Sequence, residues 1–346
     1  MKILLLGGTG AMGTHLVKHL LTNRNIEITV TSRKNRSGDD SIKYVVGNAR
    51  DDEFMSRFLK DAHYDVIVDF MNYNYEEFQD YHKRLLDATN HYIFLSSSRV
   101  YANCSGRITE NSPRLLETTT DTDFLATNRY ALRKAREEDL LNTSGKTNFT
   151  IIRPYITYSN RRIQLGIYEK EEWLYRVLND KPLIISNDIL DKKTTLTYGK
   201  DVAYGIYKIA LGKPLSEAVH ITTMENMRWI DILKLYASVI KKETGKDSYI
   251  YTSQDIRTIE VLFEGGYNTI YDRQWNRQFD NTKANAVCGH IDYLGMREGI
   301  ETCLREFLND WKVQGNDLFL PLSMEYEKEM DRLTKDTSLR KKRVSL

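Results

Sequence analysis

The chain has 346 residues and is nearly neutral, with 50 Lys and Arg against 48 Asp and Glu, so it can bury a large core in one large or two modest domains. A balanced charge argues against a dedicated nucleic-acid-binding protein, and no window approaches the ~18 apolar residues of a membrane span. The three cysteines are dispersed, which suits a reducing compartment, and we therefore expect a cytoplasmic protein.

A short apolar strand, a glycine-rich turn and an amphipathic helix follow one another at the start of the chain. Gly7, Gly10 and Gly13 lie directly between the apolar run and the helix. Glycine suits such a turn because the backbone must approach a pyrophosphate closely, and the helix offers its unpaired N–H groups to the anion. The pattern predicts a dinucleotide-binding turn formed by Gly7, Gly10, Ala11, Met12 and Gly13.

Apolar runs then alternate with helical patterns to about residue 153. The predicted strands cover residues 2–6, 26–31, 42–46, 65–70, 92–96 and 149–153. The predicted helices cover residues 51–60, 75–88 and 123–142, the last a single long helix without Gly or Pro. Apolar strands between helices indicate a parallel sheet covered on both faces. We predict an α/β fold with a Rossmann-type, doubly wound parallel sheet over residues 1–155.

The pattern is less regular after Pro154. Helices are predicted over 169–179, 200–211, 229–242 and 296–312, and strands over 183–186, 218–222 and 249–253. We predict a smaller C-terminal substrate-binding domain over residues 156–320, with some later segments returning to the first sheet. Residues 321–346 form a charged tail, which we expect to be a solvated helix or a frayed end.

The end of the second predicted strand bears on the choice of cofactor. A cofactor with free ribose hydroxyls is usually held by an acid near this point, and none is present. Ser32 can donate to a phosphate and Arg33 can bind one through two nitrogens. These residues favour NADP over NAD, with NAD kept as the alternative.

A run of serines at residues 96–98 ends a strand at the carboxyl edge of the predicted sheet, where ligands bind in such folds. Further along, Tyr130 and Lys134 are four residues apart and share one face of a helix. A neighbouring cation favours the tyrosinate, and such a tyrosine can move a proton to or from a hydroxyl or carbonyl. Alone, this spacing is common on surface helices.

Taken together and in this order, these stretches resemble the extended short-chain dehydrogenase/reductase family, the NAD(P)-dependent nucleotide-sugar epimerases, dehydratases and 4-ketoreductases. The resemblance covers roughly residues 1–312. It is carried by the glycine turn, Ser-Ser-Ser-x-Val-Tyr over 96–101, Tyr-x-x-x-Lys over 130–134, Arg153-Pro154, 197–203, 279–284 and 299–311.

The resemblance implies roles for individual residues. Ser97 would hydrogen-bond the reacting oxygen of the substrate, Tyr130 would be the general acid/base, and Lys134 would hold the nicotinamide ribose and tune the tyrosine. Asn48 stands where the family commonly has an acid that meets the adenine. The residues that we expect at the substrate are Ser98, Arg99, Tyr155, Arg161 and Arg162.

The chain departs from the family pattern at three places. Residues 69–72 replace a turn of small residues after the fourth strand. Ser98 and Arg99 stand where the 4,6-dehydratases have an Asp-Glu pair, so dehydration is not expected. An Arg that grips the nucleotide phosphate is replaced by Lys192 and Lys193, so this contact would shift to these lysines or to Arg161 and Arg162.

Two functions from different classes follow. The first is NAD(P)-dependent 4-keto reduction or C4 epimerisation of a nucleotide-linked sugar, with Ser97, Tyr130 and Lys134 as the catalytic set and a homodimer as a compatible assembly. The second is a non-catalytic dinucleotide-binding sensor or RNA-binding member of the same superfamily. The complete catalytic set favours the first.

No His, Asp or Glu cluster has the spacing of a metal site, and we expect none. The Glu pairs at 76–77, 137–138 and 171–172 are adjacent in sequence and are interpreted as solvated charge.

Overall fold

A computed structural model describes residues 1–39, 41–253 and 266–344, without the side chain of Lys341. Its strands are β1 (Lys2–Leu6), β2 (Glu27–Ser32), β3 (Ile42–Val46), β4 (Tyr64–Asp69), β5 (Thr89–Leu95), β6 (Phe149–Pro154), β7 (Thr157–Tyr158), β8 (Leu183–Ser186), β9 (Lys193–Thr194), β10 (Thr197–Tyr198), β11 (Ala218–Ile221), β12 (Met227–Arg228), β13 (Ile250–Ser253) and β14 (Lys341–Arg343). Its α-helices are α1 (Gly13–Leu20), α2 (Asp52–Leu59), α3 (Tyr75–Asp87), α4 (Leu115–Thr118), α5 (Thr122–Leu125), α6 (Tyr130–Asn142), α7 (Lys170–Leu178), α8 (Asn187–Leu190), α9 (Gly199–Ala210), α10 (Trp229–Thr244), α11 (Thr282–Cys288), α12 (Met296–Gln314) and α13 (Met324–Lys335).

The central sheet confirms the predicted Rossmann-type fold. Seven strands lie in the order β11-β6-β5-β4-β1-β2-β3, and every neighbouring pair is parallel. Leu4 of β1 is in register with Ile67 of β4 and with Thr29 of β2. The strand order changes direction between β1 and β4, which is where ligands bind in doubly wound folds.

Alternation along β1 explains how the sheet is covered on both faces. Ile3 and Leu5 pack into a core with α1, α9 and α11, whereas Leu4 and Leu6 pack into a separate core with α2 and α3. All four side chains are fully buried. Successive side chains of a strand point to opposite faces, so a strand that is apolar on both must lie between two helical layers.

The later half of the chain forms a third core and also returns to the first sheet. Strand β11 pairs with β6, so Ala218–Ile221 extends the central sheet. Helices α7, α10 and α12 enclose the largest buried cluster, with Trp173, Trp229 and Phe307 among its members. None of the helices in the described ranges is long and apolar enough to cross a bilayer.

The single long helix predicted over residues 123–142 is wrong. The chain forms α5, leaves the helical path, and begins α6 at Tyr130. Side chains account for the break. Thr127 Oγ1 donates to the carbonyl of Phe124 at 2.7 Å. The Arg136 guanidinium donates to the carbonyls of Leu125 and Thr127, each at 2.6 Å. Local side-chain bonds of this kind compete with the helical ladder.

Residues 324–344 differ from the predicted solvated or frayed tail. Helix α13 buries Met330 and Leu333 in the third core, and β14 pairs antiparallel with β13. The fully buried Arg176 of α7 donates to Glu327 at 3.0 Å and to Asp331 at 2.5 Å. Because buried charges need partners, the acids of α13 act as counter-ions to an interior arginine.

The docking of α13 is tested with two methionines of the same helix. Met330→Ala should lower the free energy of unfolding by about 2–5 kcal/mol, because Met330 is fully buried and truncation leaves a cavity. Met324→Ala, at a position 76% exposed, should change it by less than about 0.5 kcal/mol. Urea unfolding of the two variants measures both values. Equal effects would show that α13 is not packed in solution.

Candidate active site

A cleft of about 520 Å³ opens at the carboxyl edge of the central sheet. Phe70, Leu95 and Pro154 line it at the ends of β4, β5 and β6, and Met12 lines it from the glycine turn after β1. Residues from the later half of the chain close the other side. The cleft therefore lies where the strand order changes direction, as expected for a ligand site in this fold.

The cleft brings together the residues predicted to be catalytic and some of those predicted to bind substrate. The predicted residues that line it are Met12, Ser97, Arg99, Tyr130, Lys134 and Arg162. Ser98 and Tyr155 are almost completely buried outside it, and Arg161 is exposed outside it. Lys193 lines a different surface depression, beside Arg228 and Asp231.

The three serines after β5 have separate surroundings. Ser96 Oγ donates to Glu138 at 2.5 Å, and Ser98 Oγ donates to the carbonyl of Arg153 at 2.7 Å. Ser97 Oγ accepts the backbone N–H of Arg99 at 3.2 Å and lines the cleft. The hydroxyl of Ser97 thus keeps its proton for a ligand, whereas the other two donate within the protein.

A buried ion pair holds α6 against the strand ends. Arg153 of β6 donates from Nε and Nη2 to the two oxygens of Glu138, at 2.8 and 2.6 Å. Arg114 donates to the same carboxylate at 3.1 Å. The Glu138 side chain is completely buried and that of Arg153 is 7% exposed. This bidentate geometry is strong and fixes direction as well as distance.

Tyr130 occupies the first turn of α6 and has a guanidinium on two sides. Arg99 Cζ lies 5.2 Å from the centroid of the Tyr130 ring, and Arg133 Cζ lies 5.6 Å from it. Arg133 is held in turn by Asn72, whose side-chain oxygen accepts from Nη2 at 2.7 Å. Both guanidinium groups are within the distance of a cation–π interaction with the ring.

Lys134 has a buried counter-ion that the sequence interpretation missed. Its Nζ lies 2.8 Å from Glu137 Oε2 and 4.4 Å from the centroid of the Phe94 ring, and the side chain is 2% exposed. Burial raises the pKa of Glu137, and the charge of Lys134 opposes this rise. The interpretation of residues 137–138 as solvated charge is therefore wrong, because both carboxylates are fully buried beside cations.

The glycine turn has the shape that a pyrophosphate requires. A Cβ on Gly13 would lie 2.4 Å from the carbonyl oxygen of Gly8, and Gly7 has φ +68°, which side chains other than glycine rarely adopt. A Cβ on Gly10 would meet nothing within 4 Å, so this edge of the turn is open. The turn leads into α1, whose first residue is Gly13. These features fit a bound dinucleotide.

A second cavity of about 350 Å³ lies beside the glycine turn. Ser32, Arg33 and Asn48 line it together with Gly7, as the sequence predicts for the adenosine end of the cofactor. Among the described residues, those that line this cavity include no Asp or Glu. Arg50 is the second cation there, and it is paired with Glu77 at 2.8 Å.

Residues 70–72 border both cavities and form the partition between them. Asp69, directly before them, is completely buried and accepts from the Tyr92 hydroxyl at 2.7 Å and from the Met71 backbone N–H at 2.9 Å. Burial raises the pKa of Asp69 to about 6, against the opposing effect of these two hydrogen bonds and the charge of Lys134. The unusual stretch at 69–72 is thus part of the site.

Other lining residues were missed in the sequence. Glu172 was interpreted as solvated charge, but it lines the cleft, and burial raises its pKa to about 7. Glu169 pairs with Arg162 at 2.8 Å. Asn268 and Arg273 reach the cleft from far along the chain. No local pattern marks these residues, because only the fold brings them to the sheet edge. No cluster in the described ranges could hold a metal ion.

The buried Asp69 predicts a pH dependence of stability. Its pKa is about 6 in the folded chain against about 3.9 in an unfolded one, so the folded chain binds the proton more tightly. As the pH rises from 4 to 6, its contribution to the free energy of unfolding should fall by about 2 kcal/mol. Asp69→Asn removes this titration, so wild type should lose stability relative to the variant over this range.

Urea unfolding of both proteins at pH 4, 5 and 6 measures the difference. Other titrating groups are common to both proteins and cancel. Parallel pH profiles would contradict the raised pKa.

Comparisons with known proteins agree with this geometry. A sequence profile of the NAD dependent epimerase/dehydratase family matches residues 3–219. A search of curated protein sequences finds no significant match. Among solved structures, UDP-glucuronic acid 4-epimerase from Bacillus cereus, in complex with UDP-glucuronic acid and NAD, is 19% identical, with a TM-score of 0.66 over 90% of this chain and 99% of that chain.

Two further structures have the same fold. The dTDP-glucose 4,6-dehydratase from Bacillus anthracis, in complex with NAD, is 16% identical, with a TM-score of 0.65 over 92% of this chain and 98% of that chain. An epimerase from Methanothermobacter thermautotrophicus is also 16% identical, with a TM-score of 0.67 over 90% of this chain and 93% of that chain. The family profile spans more than half of the chain, and we conclude that the protein is an enzyme of the NAD dependent epimerase/dehydratase family.

Proposed function

We propose that this protein transfers hydride to or from a hydroxyl-bearing carbon of a nucleotide-linked sugar, with Tyr130 as the general acid/base. One observation carries the proposal. Ser97, which follows β5, and the pair Tyr130 and Lys134 of α6 come from separate parts of the chain and line one cleft beside the glycine turn. A surface Tyr-Lys pair without a catalytic role has no reason to meet a serine hydroxyl in a shared cavity.

The proton chemistry follows from the surroundings of these side chains. The Tyr130 hydroxyl would give a proton to the reacting oxygen, or take one from it, while Ser97 donates a second hydrogen bond to that oxygen. Arg99 and Arg133 contact the ring of Tyr130, with guanidinium carbons 5.2 and 5.6 Å from its centroid. Lys134 adds a third cation, which Glu137 holds at the cleft.

The cofactor would bind along the glycine turn and the second cavity. The nicotinamide would supply or accept the hydride when bound. The residues proposed to hold the cofactor are Gly7, Gly10, Ala11, Met12, Gly13, Ser32, Arg33, Asn48 and Lys134. The absence of an acid among the described lining residues of the second cavity, together with Arg33, supports NADP. The two Bacillus structures contain NAD, which stays the alternative.

The proposed substrate is a nucleotide-linked sugar, the class of compound after which the two Bacillus enzymes are named. The proposed reaction is 4-keto reduction or C4 epimerisation, since Ser98 and Arg99 replace the acidic pair that dehydration uses. Stoichiometry separates these two outcomes. A reductase consumes one NADPH for each product molecule, whereas an epimerase returns its cofactor and consumes none.

The proposed acid/base is tested by Tyr130→Phe. Loss of a positioned acid/base typically costs ~10²–10⁴ in rate, so turnover of 4-keto and 4-hydroxy sugar nucleotides should nearly vanish. Cofactor affinity should remain, because the ring and its neighbours are kept. Ser97→Ala should lose less, since one donor remains, and Lys134→Met should weaken both cofactor binding and rate.

Tyr204→Phe, on α9 and outside the cleft, is the matched control and should keep full activity. Turnover by Tyr130→Phe close to that of wild type would rule out the mechanism. Absence of any turnover by wild type over the whole substrate panel would favour the non-catalytic alternative.

Cofactor choice is tested by Arg33→Asp. We expect wild type to bind NADPH about 10- to 100-fold more tightly than NADH, the range of a charge-assisted contact to the 2′-phosphate. The variant should abolish or reverse this preference, because it places a carboxylate beside the phosphate. Fluorescence titration with both cofactors measures it.

Arg36→Asp makes the same charge change in the same loop at an exposed position that does not line the cavity. It should keep most of the preference for NADPH. Equal binding of NADH and NADPH by wild type would show that NADP is not the specific cofactor.

A further inference from the structure

Three arginines surround one carboxylate at the edge of the cleft. Arg277 Nε donates to Asp272 Oδ1 at 2.8 Å, and Arg99 Nε lies 3.4 Å from Oδ2, with which Arg273 also forms an ion pair. The side chains of Asp272, Arg273 and Arg277 are at most 3% exposed, and that of Arg99 is 17% exposed. We call these four residues the Asp272 cluster.

The charges of the Asp272 cluster do not balance. Its three guanidinium groups share a single carboxylate, and the other bonds of Arg277 go to the neutral carbonyls of Tyr101 and Ala102. Within the described ranges, Arg99 Nε and Arg273 Nη1 are buried, and both depend on the same oxygen, Asp272 Oδ2, for an ion pair. Burial lowers the pKa of each arginine, and repulsion by neighbouring guanidinium groups lowers the pKa of Arg99 and Arg273 further. An excess of buried positive charge is costly unless an anion meets it.

The uncompensated charge faces the cleft at its reacting end. Arg99 and Arg273 line the cleft, whereas Arg277 does not. Arg99 is also the residue whose guanidinium lies over the Tyr130 ring, at 5.2 Å from its centroid. The unpaired positive charge of the Asp272 cluster is therefore beside Tyr130, the proposed acid/base. It is away from the second cavity, which Ser32 and Arg33 line.

The carboxylates across the cleft do not supply the missing charge. Glu169 is paired with Arg162, and Glu172 Oε2 accepts the backbone N–H of Glu169 at 2.7 Å. In the described part of the chain, neither forms an ion pair with the Asp272 cluster. A ligand with an anionic group would balance the charge that the described carboxylates leave unpaired.

We propose that the sugar substrate carries a carboxylate on the reacting ring, and that Arg99 and Arg273 bind it. This inference rests on the proposed function. In a sugar acid oxidised at carbon 6, the carboxylate is attached to carbon 5, next to the reacting carbon 4, so it lies beside the oxygen that Tyr130 serves. The diphosphate leaves the ring from carbon 1, on the opposite side. Planar guanidinium groups match the two oxygens of a carboxylate.

The test compares UDP-glucuronic acid with UDP-glucose, which differ in this group, and UDP-galacturonic acid with UDP-galactose. Calorimetry on the full-length chain with bound cofactor gives the four dissociation constants. We expect each acid to bind about 10- to 100-fold more tightly than its neutral partner. Arg99→Met should bring this ratio close to 1 while changing the affinity for the neutral sugars little. Arg99→Lys should keep part of the ratio, because the charge remains.

Arg297→Met, an exposed position outside the cleft, is the control and should keep the wild-type ratio. The proposal would be overturned if wild type bound the neutral sugars at least as tightly as the acids. It would also be overturned if Arg99→Met or Arg99→Lys weakened binding of the acid and of the neutral sugar equally, which is the result expected if the arginines bind the diphosphate. In both cases the proposed function stands. If neither member of either pair binds to wild type, the proposed function fails together with this inference.

Discussion

The arrangement of the cleft depends on the buried ion pair between Glu138 of α6 and Arg153 of β6. The pair joins a helix that covers the sheet to the carboxyl end of a central strand, and Ser96 completes it from the next strand. Tyr130 and Lys134 are on the same helix, so their reach into the cleft is set by where this pair holds α6. Removing one partner would leave an unpaired charge in the interior, a change that typically costs ~3–5 kcal/mol.

An excess of cations gives the cleft its chemical character. Arg99, Lys134, Arg162 and Arg273 all line it, and two of its carboxylates, Glu169 and Glu172, lie together on the side contributed by the later half of the chain. Electrostatic interactions are stronger in a partly dry cavity than in water, so these cations favour ligands and intermediates that carry negative charge. The proposed tyrosinate of Tyr130 and the proposed acidic sugar are both of this kind.

The stretch at residues 69–72 shows how one local departure changes two cavities. Asp69 is held in the interior by Tyr92, and Met71 then packs against the glycine turn. A Cβ on Gly7 would lie 2.7 Å from Met71 Sδ, so Gly7 is required for space as well as for its positive φ. Asn72 continues the stretch and holds Arg133 beside Tyr130. The residues that replace the family's small turn thereby connect the second cavity, proposed to hold the cofactor, to Tyr130, the proposed acid/base.

The sequence by itself determined the central sheet and the glycine turn, and it predicted the set Ser97, Tyr130 and Lys134, which the fold brings to one cleft. Periodicity suffices for the sheet because strands buried on both faces are apolar throughout. In the turn, Gly13 marks a position where a Cβ cannot fit, and Gly7 marks a positive φ. The sequence did not determine where α6 begins, because that depends on hydrogen bonds that Arg136 donates to carbonyls of the preceding turn. Helix propensity alone would continue the helix.

Only the tertiary structure decided which charges are buried and what they face. Glu137, Glu138 and Glu172 look like surface acids in the sequence, since nothing local distinguishes a carboxylate that meets a cation from one that meets water. Arg99 and Arg273 are far apart in the chain and share Asp272 only after folding. Pairing of buried charges is a property of contacts between distant segments, and the chemical preference of the cleft is set by those contacts.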